Sequence, residues 1–102
     1  MTTNTRTEQA QRAAALDVLM DAGFEPAEMV DIEDLYWIAQ HDKWVAFRVE
    51  ANGMVTLVSF DDNTVVVEYV ARNYVIHSEA RFDMTDRGLA WLAAALDLGW
   101  GR

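Results

Sequence analysis

The chain of 102 residues has no cysteine, which excludes disulfide bonds, thiolate metal sites and cysteine nucleophiles together. Its two serines, Ser59 and Ser78, both lie outside any GxSxG nucleophile elbow. The five glycines are isolated apart from the tail Gly99-Trp100-Gly101, so the sequence has no glycine-rich phosphate loop. These absences remove the motifs by which several enzyme classes are recognised, and we predict no catalytic residues.

Long apolar runs are also missing. The longest, from Leu89 to Trp100, is interrupted by Asp97 and is too short to span a bilayer. The first ten residues are polar and lack the apolar core of a signal peptide. We therefore expect a cytoplasmic protein with no membrane partner. A hydrophobic fraction of 52% fits one packed domain over residues 1–102 rather than a disordered chain.

Basic residues are scarce in one part of the chain. The formal net charge is −9, and residues 13–42 contain eight acids but no lysine or arginine. Such a field disfavours direct contact with nucleic acid and attracts basic partners. The alternative is that the acidity only keeps the protein soluble. The acids that we predict to contact a partner are Asp17, Asp21, Glu25, Glu28, Asp31, Glu33 and Asp34.

Two helices are predicted, one near each end of the chain. The first covers residues 5–22 and carries apolar residues at helical spacing. Gly23 suits the left-handed position after a helix, and Phe24 can then fold back onto Leu19. The second helix covers residues 83–98. Its apolar arc is wider than one face, which is typical of a helix that touches two surfaces.

The segment from residue 35 to residue 82 reads as β structure. Asn52-Gly53 is its strongest hairpin signal, and a two-residue turn there places Val49 opposite Thr56. We predict an α+β fold, in which an antiparallel meander of four to five strands is flanked by an N-terminal and a C-terminal helix. Whether both helices pack on one face of the sheet is left open.

The two faces of this predicted sheet differ in composition. One is a good core face, with Val45, Phe47, Val49, Met54, Val58 and Phe60. The opposite face should be polar if it meets water, yet it carries tryptophan, arginine and aliphatic residues. We interpret it as a surface for a partner or for self-association, with Trp37, Trp44, Arg48 and Leu57 as its anchors. Two alternatives are that the second helix covers this face, or that the register is wrong by one residue.

Metal-binding signals are weak. His77, Glu79 and Glu68 come together if Glu68 lies across from His77, and imidazole with carboxylates suits several divalent ions. A cross-strand ion pair is the simpler explanation. The pair His41-Asp42 fits a solvated turn. We therefore predict no metal site and no cofactor.

These observations favour a non-enzymatic protein-binding module, an acidic inhibitor or adaptor acting on another protein. A sharper version is a nucleic-acid mimic that occupies the basic groove of a nucleic-acid-binding protein. The size, acidity and lack of catalytic motifs are similar in format to anti-CRISPR and anti-restriction proteins of mobile elements, and also to small acidic secretion chaperones. No motif matches a particular family. The alternatives are a structural homodimer, and a small ligand-binding domain or enzyme.

Overall fold

The computed structural model describes residues 3–72 and 74–98, with side chains from residue 8 onward. Five antiparallel strands follow one another in chain order across a single sheet, with a helix before and a helix after them. This confirms the predicted α+β class and the flanked meander. The helices are α1 (Thr3–Asp21), α2 (Tyr36–Ala39) and α3 (Asp86–Asp97), with 3₁₀ helices at Ala27–Met29 and Glu33–Leu35. The strands are β1 (Glu25–Pro26), β2 (Trp44–Val49), β3 (Val55–Asp61), β4 (Thr64–Val70) and β5 (Ile76–Asp83).

Helix α1 ends as its sequence predicts. Gly23 takes a φ of 90°, in the left-handed region. The Gly23 N–H donates to the Met20 carbonyl at 3.0 Å, and the Phe24 N–H donates to the Leu19 carbonyl at 3.0 Å. These are the two hydrogen bonds of a Schellman motif. Phe24 is thereby turned back into the cluster that contains Leu19, and both side chains are buried.

The predicted register of the first hairpin is wrong by one residue. Val49 pairs with Val55 rather than with Thr56, because the loop has three residues, 51–53, instead of two. Gly53 alone has a positive φ, 87°, and the Asn52 side chain accepts a hydrogen bond from the Met54 N–H at 3.0 Å. A type I turn that ends in a left-handed glycine is the second common hairpin geometry. One added loop residue therefore places Phe47 and Val49 on the face opposite Val58 and Phe60, with which the prediction had grouped them.

Strand β2 also contains a bulge. Trp44 pairs with Ser59 and Ala46 pairs with Val58, so Val45 is an extra residue on one side of the ladder. Val45 and Ala46 consequently both belong to the packing on one face, whereas Trp44 packs on the other. The alternation of side chains between the two faces of the sheet is therefore interrupted at Val45.

Helices α1 and α3 lie on the same face of the sheet. They share one hydrophobic cluster with that face, which settles the question left open by the sequence. Gly88 lets α3 start close to the end of β5, because a Cβ atom there would lie 1.9 Å from the Asp83 carbonyl oxygen. Thr85 caps the helix by accepting a hydrogen bond from the Gly88 N–H at 3.1 Å. The buried members of this cluster are Ala15, Leu19, Phe24, Ala46, Val58, Val65, Val67, Met84, Leu89, Leu92 and Leu96.

The opposite face is covered by residues 25–39, which we call the connector. The prediction of β structure from residue 35 onward is wrong for residues 35–39, the last part of the connector. Leu35 ends a 3₁₀ helix and residues 36–39 form α2. Leu35 and Ile38 are fully buried against the sheet. The cluster on this face consists of Ala27, Val30, Leu35, Ile38, Trp44, Phe47, Val55, Leu57 and Val70.

Arg48 joins the helix face to the end of α1. Its Nε donates to the Glu50 carboxylate at 2.8 Å, and its Nη1 donates to the Ala22 carbonyl at 2.7 Å. Its guanidinium carbon lies 4.7 Å from the centre of the Phe24 ring. The Thr56 hydroxyl donates to the same carboxylate oxygen at 2.6 Å. One buried ion pair therefore links β2, β3 and the C-terminal end of α1.

We expect Arg48→Met to lower the free energy of unfolding by about 3 kcal/mol or more, because the buried Glu50 carboxylate loses its guanidinium. Urea denaturation followed by circular dichroism measures the change. The double variant Arg48→Met/Glu50→Gln should recover much of the loss, since both charges are then removed. A single-variant loss below about 1 kcal/mol would show that the pair does not stabilise the fold.

Candidate functional site

All seven acids predicted to contact a partner are exposed. They do not form a single patch. Asp21 lines a groove between α1 and α3, together with Asp97, whereas Glu28 lines a second groove on the other side of α1. Asp34 forms an ion pair with Arg72. The remaining predicted acids are Asp17 on α1 and, on the connector, Glu25, Asp31 and Glu33.

The groove beside Glu28 runs between α1 and the connector. It encloses about 500 Å³ and its wall is mostly apolar. Its floor is β2, where Trp44 contributes a buried ring, and Met20 of α1 is 37% exposed at its side. We call it the α1–connector groove, and the residues that line it are Leu16, Met20, Pro26, Ala27, Glu28, Trp44 and Val45.

The outer surface of the connector also exposes large apolar side chains. Met29 is 66% exposed, Tyr36 is 51% exposed and Ile32 is 43% exposed. They alternate along the chain with the acids of the same segment. Methionine and tyrosine are enriched in protein interfaces relative to the rest of protein surfaces. The outer surface is thus acidic and apolar together.

Sequence reasoning did not identify these three apolar residues as part of a site. The signal was present in the spacing of the buried residues, because Ala27 and Val30, and later Leu35 and Ile38, are three residues apart. That spacing is typical of helical turns with one face on a core. It leaves Met29, Ile32 and Tyr36 on the outside.

The sheet-face anchors predicted from the sequence are not an exposed interface. Trp44 is 5% exposed and Leu57 is fully buried, because the connector covers them. Trp37 lies in α2 and is half-buried. Arg48 lies on the helix side of the sheet, bound to Glu50. The wrong register placed Arg48 on this face, and reading α2 as a strand left Trp44 and Leu57 without the segment that covers them.

The tryptophans of the connector side are packed in an aromatic cluster around Lys43. The Lys43 ammonium lies 4.3 Å from the Trp44 ring centre and 5.5 Å from that of Tyr74. It also donates to the Tyr74 hydroxyl at 3.1 Å. Tyr74 in turn lies 5.5 Å from Trp37 between ring centres. A cation within about 6 Å of an aromatic ring is attracted to its face. The aromatic cluster is therefore occupied by the chain's own lysine.

Glu68 lies across from Glu79 and not from His77, because the turn closed by Ala71 and Val75 and the bulge at the start of β5 each shift the pairing by one residue. No group of three His, Cys, Asp or Glu side chains suited to a metal ion occurs in residues 8–72 and 74–98. Glu68 is only 6% exposed. Burial raises the pKa of Glu68, the Lys43 charge opposes that rise, and Glu79 adds to it.

This raised pKa predicts a pH dependence of stability. The folded state holds the Glu68 proton more tightly than the unfolded state, so the stabilisation is present at low pH and is lost as pH rises through the folded pKa. Glu68→Gln should therefore raise the free energy of unfolding near pH 7 and change it less near pH 4. Urea denaturation at both pH values measures this.

The exposed Glu28 provides the matched control for that experiment. Glu28→Gln removes a carboxylate that is not buried, and should change the free energy of unfolding by less than about 0.5 kcal/mol. A Glu68→Gln protein that is less stable than the parent near pH 7 would contradict the prediction, since it would mean that the ionised carboxylate stabilises the fold.

Comparison of the chain with protein-family models, with curated proteins and with solved structures found no match. Across the described part of the chain, no helix has both the length and the apolar character needed to cross a membrane.

Proposed function

We propose that this protein is a non-enzymatic, cytoplasmic protein-binding module, an acidic inhibitor or adaptor, and that it binds a basic partner protein with the outer surface of the connector. The observation that carries the proposal is the composition of that surface. Exposed acids alternate there with exposed Met29, Ile32 and Tyr36, and residues 13–42 contain no lysine or arginine. Apolar anchors within a field of one sign are typical of a binding surface.

The α1–connector groove supports a protein partner. It is a mostly apolar groove with Glu28 at its wall. A groove of this kind suits an extended or helical segment that carries both apolar and basic side chains. A phosphate backbone would be repelled by the same acids. Nucleic-acid-binding proteins are a class of partner that the outer surface of the connector fits, because their basic grooves attract clustered carboxylates. Occupation of such a groove would make this protein a nucleic-acid mimic.

The test is affinity capture from host lysate by the tagged protein, with captured proteins identified by mass spectrometry at low and at high salt. The variant Glu28→Lys/Asp31→Lys/Glu33→Lys reverses three connector acids and spares Asp34, which is paired with Arg72. We expect the affinity for the captured partner, measured with purified proteins, to fall by roughly a hundredfold, since three charge contacts become repulsive.

A matched variant separates a specific surface from net charge. Glu8→Lys/Asp42→Lys/Asp97→Lys makes the same change of charge at exposed positions outside the connector, and should bind within about threefold of the parent. Equal losses in the two triple variants, or none in either, would contradict the proposed site. A second variant, Met29→Ser/Ile32→Ser/Tyr36→Ser, should weaken the binding that remains at high salt, because that part is apolar.

A further inference from the structure

The two edges of the sheet are protected very differently. At one edge, β1 has only two residues, the acidic Glu25 and Pro26. Short length and proline are features that block pairing with another chain. At the other edge, β5 has eight residues without proline, and within residues 3–72 and 74–98 its only strand neighbour is β4. Strand β5 is therefore the edge at which another strand can be added.

The bulge in β5 does not block this edge. It is confined to the start of the strand, between the pairs Val70–Ile76 and Tyr69–Ser78. From Ser78 to Asp83 the ladder with β4 is regular. The backbone groups on the outer side of this part are correctly spaced for an antiparallel partner.

The charges along β5 select a particular partner. Residues 77, 79, 81 and 83 are His, Glu, Arg and Asp, and all four are exposed. When two copies of β5 pair antiparallel about a two-fold axis at Ala80, Glu79 of each copy lies opposite Arg81 of the other. The strand is therefore electrostatically complementary to itself.

The neighbouring registers are unfavourable. An axis at Glu79 places the two Glu79 carboxylates opposite each other. An axis at Arg81 places two guanidinium groups opposite each other and pairs Glu79 with Asp83. Like charges directly opposite on paired strands are destabilising. Each of these three registers pairs most of the strand. Of the three, only the axis at Ala80 places opposite charges across from each other and no like charges.

A second observation concerns α3, which lies beside this edge. Trp91 is 64% exposed, and it lines a groove of about 480 Å³ together with Phe82 of β5. A β5 strand from a second copy would lie alongside this groove and would cover part of the tryptophan ring. An exposed tryptophan next to an open strand edge is typical of an interface. Part of the wide apolar arc of α3 would thus be buried in this interface.

We propose that β5 is the interface of a homodimer, in which two copies pair antiparallel about Ala80 to form a continuous ten-stranded sheet. Because β1 and β5 are at opposite edges, the two connectors lie at the far ends of this dimer. The dimer does not depend on the proposed function. If both hold, one dimer presents two acidic surfaces to its partners and gains affinity for repeated or multimeric targets.

The test is light scattering coupled to size-exclusion chromatography, over loading concentrations from about 1 to 300 µM, a range that covers weak dimers. The parent chain should move from the monomer mass towards twice that mass. Arg81→Glu and Glu79→Arg should each weaken the dimer roughly tenfold or more, because two attractive pairs become repulsive. The double variant Glu79→Arg/Arg81→Glu should dimerise like the parent, since the charges are exchanged and remain complementary about Ala80.

Mixing provides an independent check. Arg81→Glu protein and Glu79→Arg protein are each weakened alone, yet together they are complementary and should form a heterodimer. Arg12→Glu is the matched control, because it makes the same change of charge at an exposed position on α1 and should leave the dimer unchanged. A parent chain that stays monomeric at every concentration, or a dimer that Arg81→Glu does not weaken, would overturn the proposal. Circular dichroism confirms that each variant is folded.

Discussion

Both faces of this sheet carry apolar side chains, so both faces must be covered. With 102 residues and two long helices, the chain has only limited means to do so. Helices α1 and α3 cover one face together, and the connector covers the other. Removal of apolar surface from water is the dominant favourable term in folding, which makes this arrangement a condition for a stable sheet. The outside of the connector, the outer sides of α1 and α3, and the two sheet edges remain accessible.

The connector has two roles because its two sides differ. Its inner side contributes buried residues such as Leu35 and Ile38 to the core, and its outer side presents acids and apolar residues to solvent. Packing fixes the segment on the sheet, so the proposed partner would meet a surface that is ordered before binding. Such preorganisation reduces the entropy lost on association. The concentration of negative charge at this end of the molecule then favours fast, salt-sensitive encounters with basic proteins.

Local signals predicted local structure well, and long-range arrangement less well. Gly23 and Phe24 predicted the end of α1, because the Schellman motif is built from adjacent residues. Asn52-Gly53 predicted a hairpin but not its loop length, and the bulge at Val45 has no sequence signal. The acids were identified as exposed, whereas Trp44 and Leu57 were assigned to an open surface that the connector covers. Their burial depends on α2, whose run of apolar residues reads equally well as a strand.

The central claim is that the connector is packed on the sheet and presents only its outer side. Hydrogen exchange of the free protein, followed by mass spectrometry, measures this directly on peptides from the connector and from β2 and β3. We expect the amides of Leu35 and Gln40, which donate to the carbonyls of Ile32 and Tyr36, to exchange far more slowly than those of an unfolded chain. Exchange of the connector at the unfolded rate, with β2 and β3 still protected, would contradict the account. It would mean that Trp44 and Leu57 lie on an open face that is available to a partner.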